Sequence, residues 1–509
     1  MSTGVSAEPR VVRRSRQAGR WLLGLGVLLL SVPVLRGDGV RVPFYGQELH
    51  WAPCPAETVT TPGTECANLL VPLDYGDPDG RTLTVAISRA PATDPARRRG
   101  ILLSNPGGPG ASGLDSLGLL GDVLDPQVRA QYDLIGMDPR GVGASDAPPL
   151  CGWRVGEAIR SAGRSDAGFE QEAGLAAESA AACLDTDPAK LRFLTTRNTA
   201  RDMDLIRAVL GEEELSFFGL SYGTYLGAVF TQMFPDRTDR MVLDSAVDPD
   251  RYWTGLVQDW GPADETALDD WASWAAARDS TYRLGRTGPE VRGTVEGLYQ
   301  RVAAAPVVVD GYPVDDRVLP FLLHNLLRSF QVNETLAATV RDIRDAVAGD
   351  STSSPESGLR DVLAELHTGE NSALMVIACG DVAAPADPEW YRRRIEETRG
   401  AQPVFGALAG NIQPCAFWPR PVEPPTVVRN AVPVLITQAA GDPRTPYSHA
   451  VGLHRKLTAS RLVTLRDTRI HLTFRPGLSA CVGDAINGYF RDGRLPLTDI
   501  ECRPDRPVQ

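Results

Sequence analysis

The sequence predicts an α/β fold, a mostly parallel sheet with helices on both faces, interrupted by a long helical insertion. Three features point to it. Short apolar runs occur without polar alternation, helical periodicity fills the intervals between them, and the strand–helix rhythm stops over about 249–425. The 509 residues are 43% hydrophobic and 23% charged, enough for a large core. That composition excludes a disordered chain, a small disulfide-stapled domain and a polytopic membrane protein. Counts of 49 Gly and 40 Pro signal many loops and turns.

The elements follow in order. Residues 83–88, rich in branched side chains, read as a strand. Gly-Ile-Leu-Leu-Ser at 100–104 reads as the next and ends in Asn105-Pro106-Gly107-Gly108-Pro109-Gly110. A third, 132–137, runs into Asp138-Pro139-Arg140-Gly141, and 215–219, 241–243, 434–437 and 462–465 complete the set. Apolar residues recurring at three and four predict helices over 198–210 and 222–234. The body therefore divides into a first core part at 40–248, a helical insertion at 249–425 and a second core part at 426–509. The insertion holds Trp253, Trp260, Trp271 and Trp274, and ends in a Pro-rich join at 419–425. Its Ser-rich stretch 351–357 reads as an exposed loop. No internal repeat is visible.

The formal charge of −12 is unevenly spread, since the first 36 residues carry six Arg against one Glu. The acidic remainder excludes nucleic acid as a partner, because phosphate binding needs a basic face. The basic start and the apolar run 21–35 have the anatomy of a signal peptide, and the run is short beside the roughly 20 residues of a spanning helix. Val34, Leu35 and Arg36 make a poor cleavage site, so an uncleaved signal-anchor, and with it an N-terminal membrane anchor, is the alternative. Either reading places the body outside the cytoplasm, extracellular or in the cell envelope. The eight cysteines agree: Cys54, Cys66, Cys151, Cys183, Cys379, Cys415, Cys481 and Cys502 form an even set in an exported chain. Many connectivities remain open, and nearest-neighbour pairing is the simplest. No C-x-x-C spacing supports a metal site, and no metal or organic cofactor is implied.

The chemistry centres on Gly219-Leu220-Ser221-Tyr222-Gly223, a G-x-S-x-G between a predicted strand and a predicted helix. A serine on such a turn projects its hydroxyl clear of the sheet. It needs a base and an orienting acid. Asp442 follows the strand at 434–437, and His471 follows the one at 462–465, both at the strand ends where such sheets place their sites. Of the rivals, His50 precedes the sheet, His324 and His367 fall in the insertion, and His449 and His454 fall in the helix after Asp442. Asp467 lies too near His471 in sequence to be the orienting acid. The Gly-rich turn offers Gly107 or Gly108 as one oxyanion donor, and Tyr222 offers the other.

These residues together resemble the exported tripeptidyl aminopeptidase-like α/β-hydrolases of actinobacteria, within the wider prolyl iminopeptidase group. The matching pieces include Asn105–Gly113, Asp133–Ser145, Gly219–Gly227, Ile377–Asp381, Cys415–Pro419, Gly441–Pro446 and the tail from Cys481 to Cys502. The resemblance implies the α/β-hydrolase fold with a helical cap and a C-terminal TAP-like region. It implies a Ser221–Asp442–His471 triad and removal of short peptides, tripeptides, from free N-termini. It also favours pairing Cys379 with Cys415 and Cys481 with Cys502. In such an exopeptidase a cap carboxylate holds the substrate ammonium; Asp381 is the candidate, with a structural role bonding a nearby backbone N–H as its rival. One departure concerns His471: the family usually flanks this histidine with glycine, whereas Ile470 and Leu472 stand here.

The expectation is an exported serine hydrolase, a peptidase acting on peptide substrates. The alternatives are an esterase or amidase on small molecules, and a catalytically silent binding protein of the envelope. Substrate and oligomeric state are not written in the sequence.

Overall fold

Unalternating apolar runs produce a sheet covered on both faces. In the computed structural model, which describes residues 44–506 apart from 146–150, 155, 157, 158 and 351, twelve strands are present. They are β1 (Ala52–Pro53), β2 (Glu65–Pro72), β3 (Thr82–Ala90), β4 (Gly100–Asn105), β5 (Tyr132–Met137), β6 (Leu215–Leu220), β7 (Thr238–Asp244), β8 (Val307–Val309), β9 (Tyr312–Val314), β10 (Val434–Ala439), β11 (Arg461–Leu465) and β12 (Ile500–Cys502). Ten make one sheet in the order β1-β2-β3-β5-β4-β6-β7-β10-β11-β12, while β8 and β9 form a separate hairpin. From β5 through β12 every neighbouring pair is parallel; β1, β2 and β3 add an antiparallel flank. The export signal expected at 1–36 lies outside the described residues. Among those residues no helix is long and apolar enough to cross a membrane.

Every residue of β4, β6 and β10 is buried, which is why their sequences show no alternation. The expected strands all form, most of them a residue or more longer than their apolar kernels. The sequence reading misses β2, whose burial does alternate, because Leu70 is 52% exposed and puts an apolar residue on the solvent face. It also misses β1, β12 and the hairpin, all too short to show a period. The helices expected at 198–210 and 222–234 are found at Thr196–Val209 and Tyr222–Met233.

Strands β7 and β10 are neighbours in the sheet, and the chain between them leaves the sheet to build a helical layer. Its long helix Thr254–Ala276 buries Leu268, Trp271 and Ala275 against helices Gly288–Ala304, Val318–Leu327 and Asn333–Val347. Most of the buried side chains of this layer share one core with one face of the sheet, while the other face, with Leu102, Phe218, Val242 and Leu435, packs in a second core. The Ser-rich stretch is not simply an exposed loop. Ser357 is buried, its carbonyl accepts from Thr339 Oγ1 at 3.2 Å, and Ser354 N donates to Asp342 at 2.7 Å, so the part from Ser354 to Ser357 folds onto helix Asn333–Val347.

All eight cysteines pair with their sequence neighbours: Cys54–Cys66, Cys151–Cys183, Cys379–Cys415 and Cys481–Cys502. This is the nearest-neighbour pattern expected from the sequence, and it suits an oxidising compartment. The Cys379–Cys415 bond spans 36 positions and joins the buried helix Ser372–Asp381 to the end of the inserted region. Loop-closure entropy for that span predicts a loss of about 3–4 kcal/mol for the Cys379→Ser/Cys415→Ser double variant, read as a lower urea midpoint.

Candidate active site

The strand-to-helix turn after β6 sets Ser221 in a left-handed conformation, with φ 56° and ψ −121°. A non-glycine residue there carries strain of about 1–3 kcal/mol, so neighbours must hold it. Ser221 N donates to the Asp244 carbonyl at 2.9 Å, and the Ser221 carbonyl accepts from Thr224 N at 2.9 Å and Thr224 Oγ1 at 2.6 Å. The turn is too tight for side chains two positions before and two positions after the serine. A Cβ at Gly219 would lie 2.4 Å from the Gly223 carbonyl, and one at Gly223 would lie 2.6 Å from the Asn105 carbonyl. Both glycines of G-x-S-x-G are therefore set by close approach.

Asp442 follows β10, and each of its oxygens is held. Oδ1 accepts from Arg444 N at 2.8 Å and Thr445 N at 3.1 Å; Oδ2 accepts from Thr445 Oγ1 at 2.9 Å and from His471 Nδ1 at 2.8 Å. Because the carboxylate is the acceptor, Nδ1 of His471 carries the proton and Nε2 is left to accept one. Burial works against the charged form of Asp442. The imidazole of His471 and the Thr445 and Arg444 amides outweigh it, and the carboxyl lies below its ordinary range. The rival Asp467 pairs with exposed Arg503 and takes no part.

Asp244, at the end of β7, ties the nucleophile to the histidine loop. Its carbonyl holds Ser221 N, while its buried carboxyl accepts from Thr473 N at 2.9 Å, Thr473 Oγ1 at 2.7 Å, Phe474 N at 3.1 Å and Thr437 Oγ1 at 2.9 Å. The non-glycine flanks of His471 are accommodated on opposite sides. Ile470 is buried and pairs with Ser329 across an antiparallel bridge, with Phe330 N donating to the Arg469 carbonyl at 2.8 Å and His471 N to the Arg328 carbonyl at 2.8 Å. Leu472 takes a left-handed φ of 74°, held by Ser245 Oγ accepting its N–H at 2.9 Å. The inserted helical region thus grips the histidine loop through backbone hydrogen bonds.

Ser221, Tyr222, His471 and Gly108 line one cavity of about 330 Å³. Tyr252, Trp253, Trp260 and Phe321 of the helical region supply much of its apolar wall, and Arg328 and Arg444 also line it. Gly107 stands behind this surface. Its N–H donates to Asn105 Oδ1 at 3.0 Å, and a Cβ on it would meet the Leu220 carbonyl at 2.5 Å. Gly107 therefore shapes the turn with its own amide committed, and Gly108 is the residue of the pair at the cavity.

Asp381 is not at the cavity, which corrects its candidacy as ammonium holder. Oδ1 accepts from Thr196 N at 2.7 Å and Oδ2 from Thr196 Oγ1 at 2.5 Å. It ties the first turn of helix Thr196–Val209 to helix Ser372–Asp381. Burial pushes its carboxyl up to about 7. Among the other histidines, His449 is buried, accepting from Asp248 N at 3.1 Å and meeting Asp259 at 3.0 Å. His324, in the insertion, is fully buried beside Trp260, with Nδ1 on Asp264 Oδ2 at 2.7 Å. Sequence reasoning missed Asp244, Arg328 and Arg444. Asp244 had one legible signal, an acid at the end of a buried strand, and Arg444 had its place two residues after Asp442; Arg328 had none, because long-range packing brings it to the cavity.

A strand-end serine on a strained turn, an imidazole bonded to a buried carboxylate, and a glycine-rich backbone facing the same cavity define a serine hydrolase of the α/β-hydrolase class. The α/β-hydrolase fold family matches residues 100–316, and the TAP-like protein family matches residues 402–502. The chain is 35% identical to a tripeptidyl aminopeptidase of Streptomyces lividans, covering 90% of this chain and 87% of that one. It is 28% identical to the serine protease Hip1 of Mycobacterium tuberculosis over 95% of this chain and 97% of that one. It is 30% identical to a carboxylesterase B of the same organism over 96% and 99%. The chain belongs to the tripeptidyl aminopeptidase-like family of α/β-hydrolases.

Two predictions separate positioning from substrate contact. Asp244→Asn replaces an acceptor of backbone N–H groups by a group half of which donates, leaving a buried amide unpaired at a cost of about 1–3 kcal/mol. The expected result is a lower melting temperature together with a kcat that falls more than KM rises. Asp381→Asn is expected to leave KM for any substrate unchanged and to alter the pH dependence of stability. The folded carboxyl binds its proton more tightly than the unfolded one. The native state is therefore favoured below the ordinary value of 3.8 and loses that advantage as the pH rises to about 7. Thermal melts across that range should show the variant gaining on the parent as pH rises.

Proposed function

We propose that this protein is an exported serine peptidase that removes short peptides, tripeptides in the first instance, from free N-termini. The observation that carries the reading is that Ser221 and His471 meet at one cavity walled by the helical region of residues 249–425, which acts as a cap. Resemblance to the tripeptidyl aminopeptidases supplies the substrate class. The Arg-rich, apolar N-terminus and the four disulfides support export.

Ser221 Oγ attacks the scissile carbonyl and gives its proton to His471 Nε2, while Asp442 steadies the imidazolium through Nδ1. The N–H groups of Gly108 and Tyr222 receive the oxyanion; each such donor is worth about 3–4 kcal/mol in the transition state. The intermediate collapses when His471 returns the proton to the leaving amine, which leaves an acyl-enzyme on Ser221. Water, deprotonated by the same imidazole, then attacks the ester carbonyl, and the imidazolium returns that proton to Ser221 Oγ as the acid leaves.

The second reading is an esterase. It is favoured by one observation: among the described residues lining the cavity there is no Asp or Glu to hold a substrate ammonium. The relationship to a carboxylesterase B is in line with it.

Product mass spectrometry decides between the two. One peptide is offered with a free and with an acetylated N-terminus, beside a simple acyl ester. The peptidase reading expects short N-terminal fragments from the free form alone. Ser221→Ala should abolish turnover, by about a million-fold in kcat, and Asp442→Asn should lower it by about 10⁴. Ester turnover with neither peptide cut would overturn the peptidase reading.

A further inference from the structure

The charged side chains among the described residues lining the catalytic cavity are all of one sign. Arg328 and Arg444 line it with Ser221 and His471, and no carboxylate is among the described lining residues. The buried Arg140 and Arg469 are each paired, with Asp202 at 2.6 Å and Asp270 at 2.7 Å, and the half-buried Arg201 is paired with Glu423 at 2.7 Å. Among the described residues no carboxylate lies within ion-pair distance of Arg328, Arg444 or Arg475. Arg444 Nη1 is buried and has no hydrogen-bond partner, while its guanidinium rests 5.4 Å over the Trp260 ring. Arg328 Nη1 reaches the Asn325 carbonyl at 3.3 Å, and Arg475 Nε reaches the Leu472 carbonyl at 3.3 Å.

The surrounding charges do not relieve this. The carboxylates that act on Arg444 are Asp442, which is engaged with His471, and Asp264, whose Oδ2 meets His324 while its Oδ1 has no partner and whose burial favours the neutral acid. Arg328 opposes Arg444 as a like charge, and Arg475 opposes Arg328. Burial pushes the Arg444 guanidinium down to about 10. A desolvated cation with a free donor is unfavourable alone and is stabilised by an anion that fits, preferably a carboxylate, whose planar shape matches the guanidinium.

We propose that Arg444, with Arg328 at the cavity mouth, forms a carboxylate subsite beside the nucleophile, so that the enzyme selects substrates bearing an acidic group next to the bond it cuts. For peptides the inference rests on the peptidase reading, and it defines which peptides are taken. Two sources offer that group: an acidic side chain at the residue supplying the scissile carbonyl, or the free C-terminal carboxylate of a short leaving segment. Anions at either place would meet the same two guanidinium groups. Recognition by Arg444 would also attract such substrates from a distance, since an acidic protein body otherwise repels them.

The test uses tetrapeptides with free N-termini, carrying Glu or Gln at the third residue and a free acid or an amide at the C-terminus. A parallel pair of aryl esters, one of glutaric acid with its second carboxyl free and one of butyric acid, needs no peptide bond. The expected result is kcat/KM about ten- to a hundred-fold higher for the acid than for its neutral isostere in at least one peptide arm, the arm identifying the source. That ratio should fall toward one in Arg444→Met, stay partly intact in Arg444→Lys, and shrink as salt is raised. Labelling of Ser221 by an uncharged phosphonate shows that each variant is folded, and Arg328→Met provides a second variant. In the unmodified protein, glutarate should protect Ser221 from the phosphonate where glutaramide does not. Peptides cleaved at equal rates in all arms, with no protection by glutarate, would overturn the subsite and leave the peptidase reading standing. Uncut peptides with an ester preference that Arg444→Met removes would do the reverse.

Discussion

The active site depends on how the last residue of β7 is used. Asp244 is buried at the centre of the sheet, and its two ends serve different parts of the site. Its carbonyl takes the N–H of Ser221, in the strained turn, while its carboxyl takes the amides of Thr473 and Phe474, just beyond His471. Nucleophile and base come from segments 250 residues apart in sequence (Ser221 and His471), and this residue fixes their separation. Burying a carboxyl is unfavourable unless its lone pairs are filled, and here four donors fill them. The same cost makes the position intolerant: any change leaves donors in the core without an acceptor.

The helical region does more than cover the cavity. It provides aromatic walls and, through Arg328 and Phe330, hydrogen bonds to the backbone on both sides of Ile470. The large flanks of His471 are built into this arrangement. Ile470 fills space in the core where a glycine would leave a void, and Leu472 presents its side chain to the cavity from a left-handed backbone. A loop with glycine at both places would be free of these contacts and correspondingly looser. The helical region and the histidine loop are therefore joined directly through backbone hydrogen bonds.

Electrostatics divides the buried ionisable groups by role. Asp442 is held charged because a donor meets each oxygen, so it can orient and stabilise an imidazolium. Asp264 and His324, equally buried, are pushed toward their neutral forms, the carboxyl upward and the imidazole downward, chiefly by desolvation. That histidine beside the cavity is consequently unsuited to replace His471, although proximity alone would nominate it. Asp381 behaves like Asp264, with three tyrosines, Tyr222, Tyr225 and Tyr252, close enough to feel its charge.

Local pattern was enough for whatever depends on neighbours in sequence. The parallel sheet was legible because strands covered on both faces must be apolar throughout, and Ser221 was legible because a strand-to-helix turn of that tightness requires glycine two positions before and two positions after the serine. Asp442 and His471 followed from their places beyond strand ends, and the disulfides from pairing near neighbours. Other features required the chain to close on itself. The alternation of β2 was masked by an exposed leucine, and the place of Asp381 in a helix junction instead of the cleft depended on a contact with Thr196. The commitment of Gly107's amide to Asn105, and the convergence of Arg328 and Arg444 on the serine, are likewise matters of distance in space. Periodicity and motif spacing report which face of an element is apolar and where a turn must bend; they do not report which charges meet across a cavity, because that is set by packing between segments hundreds of residues apart.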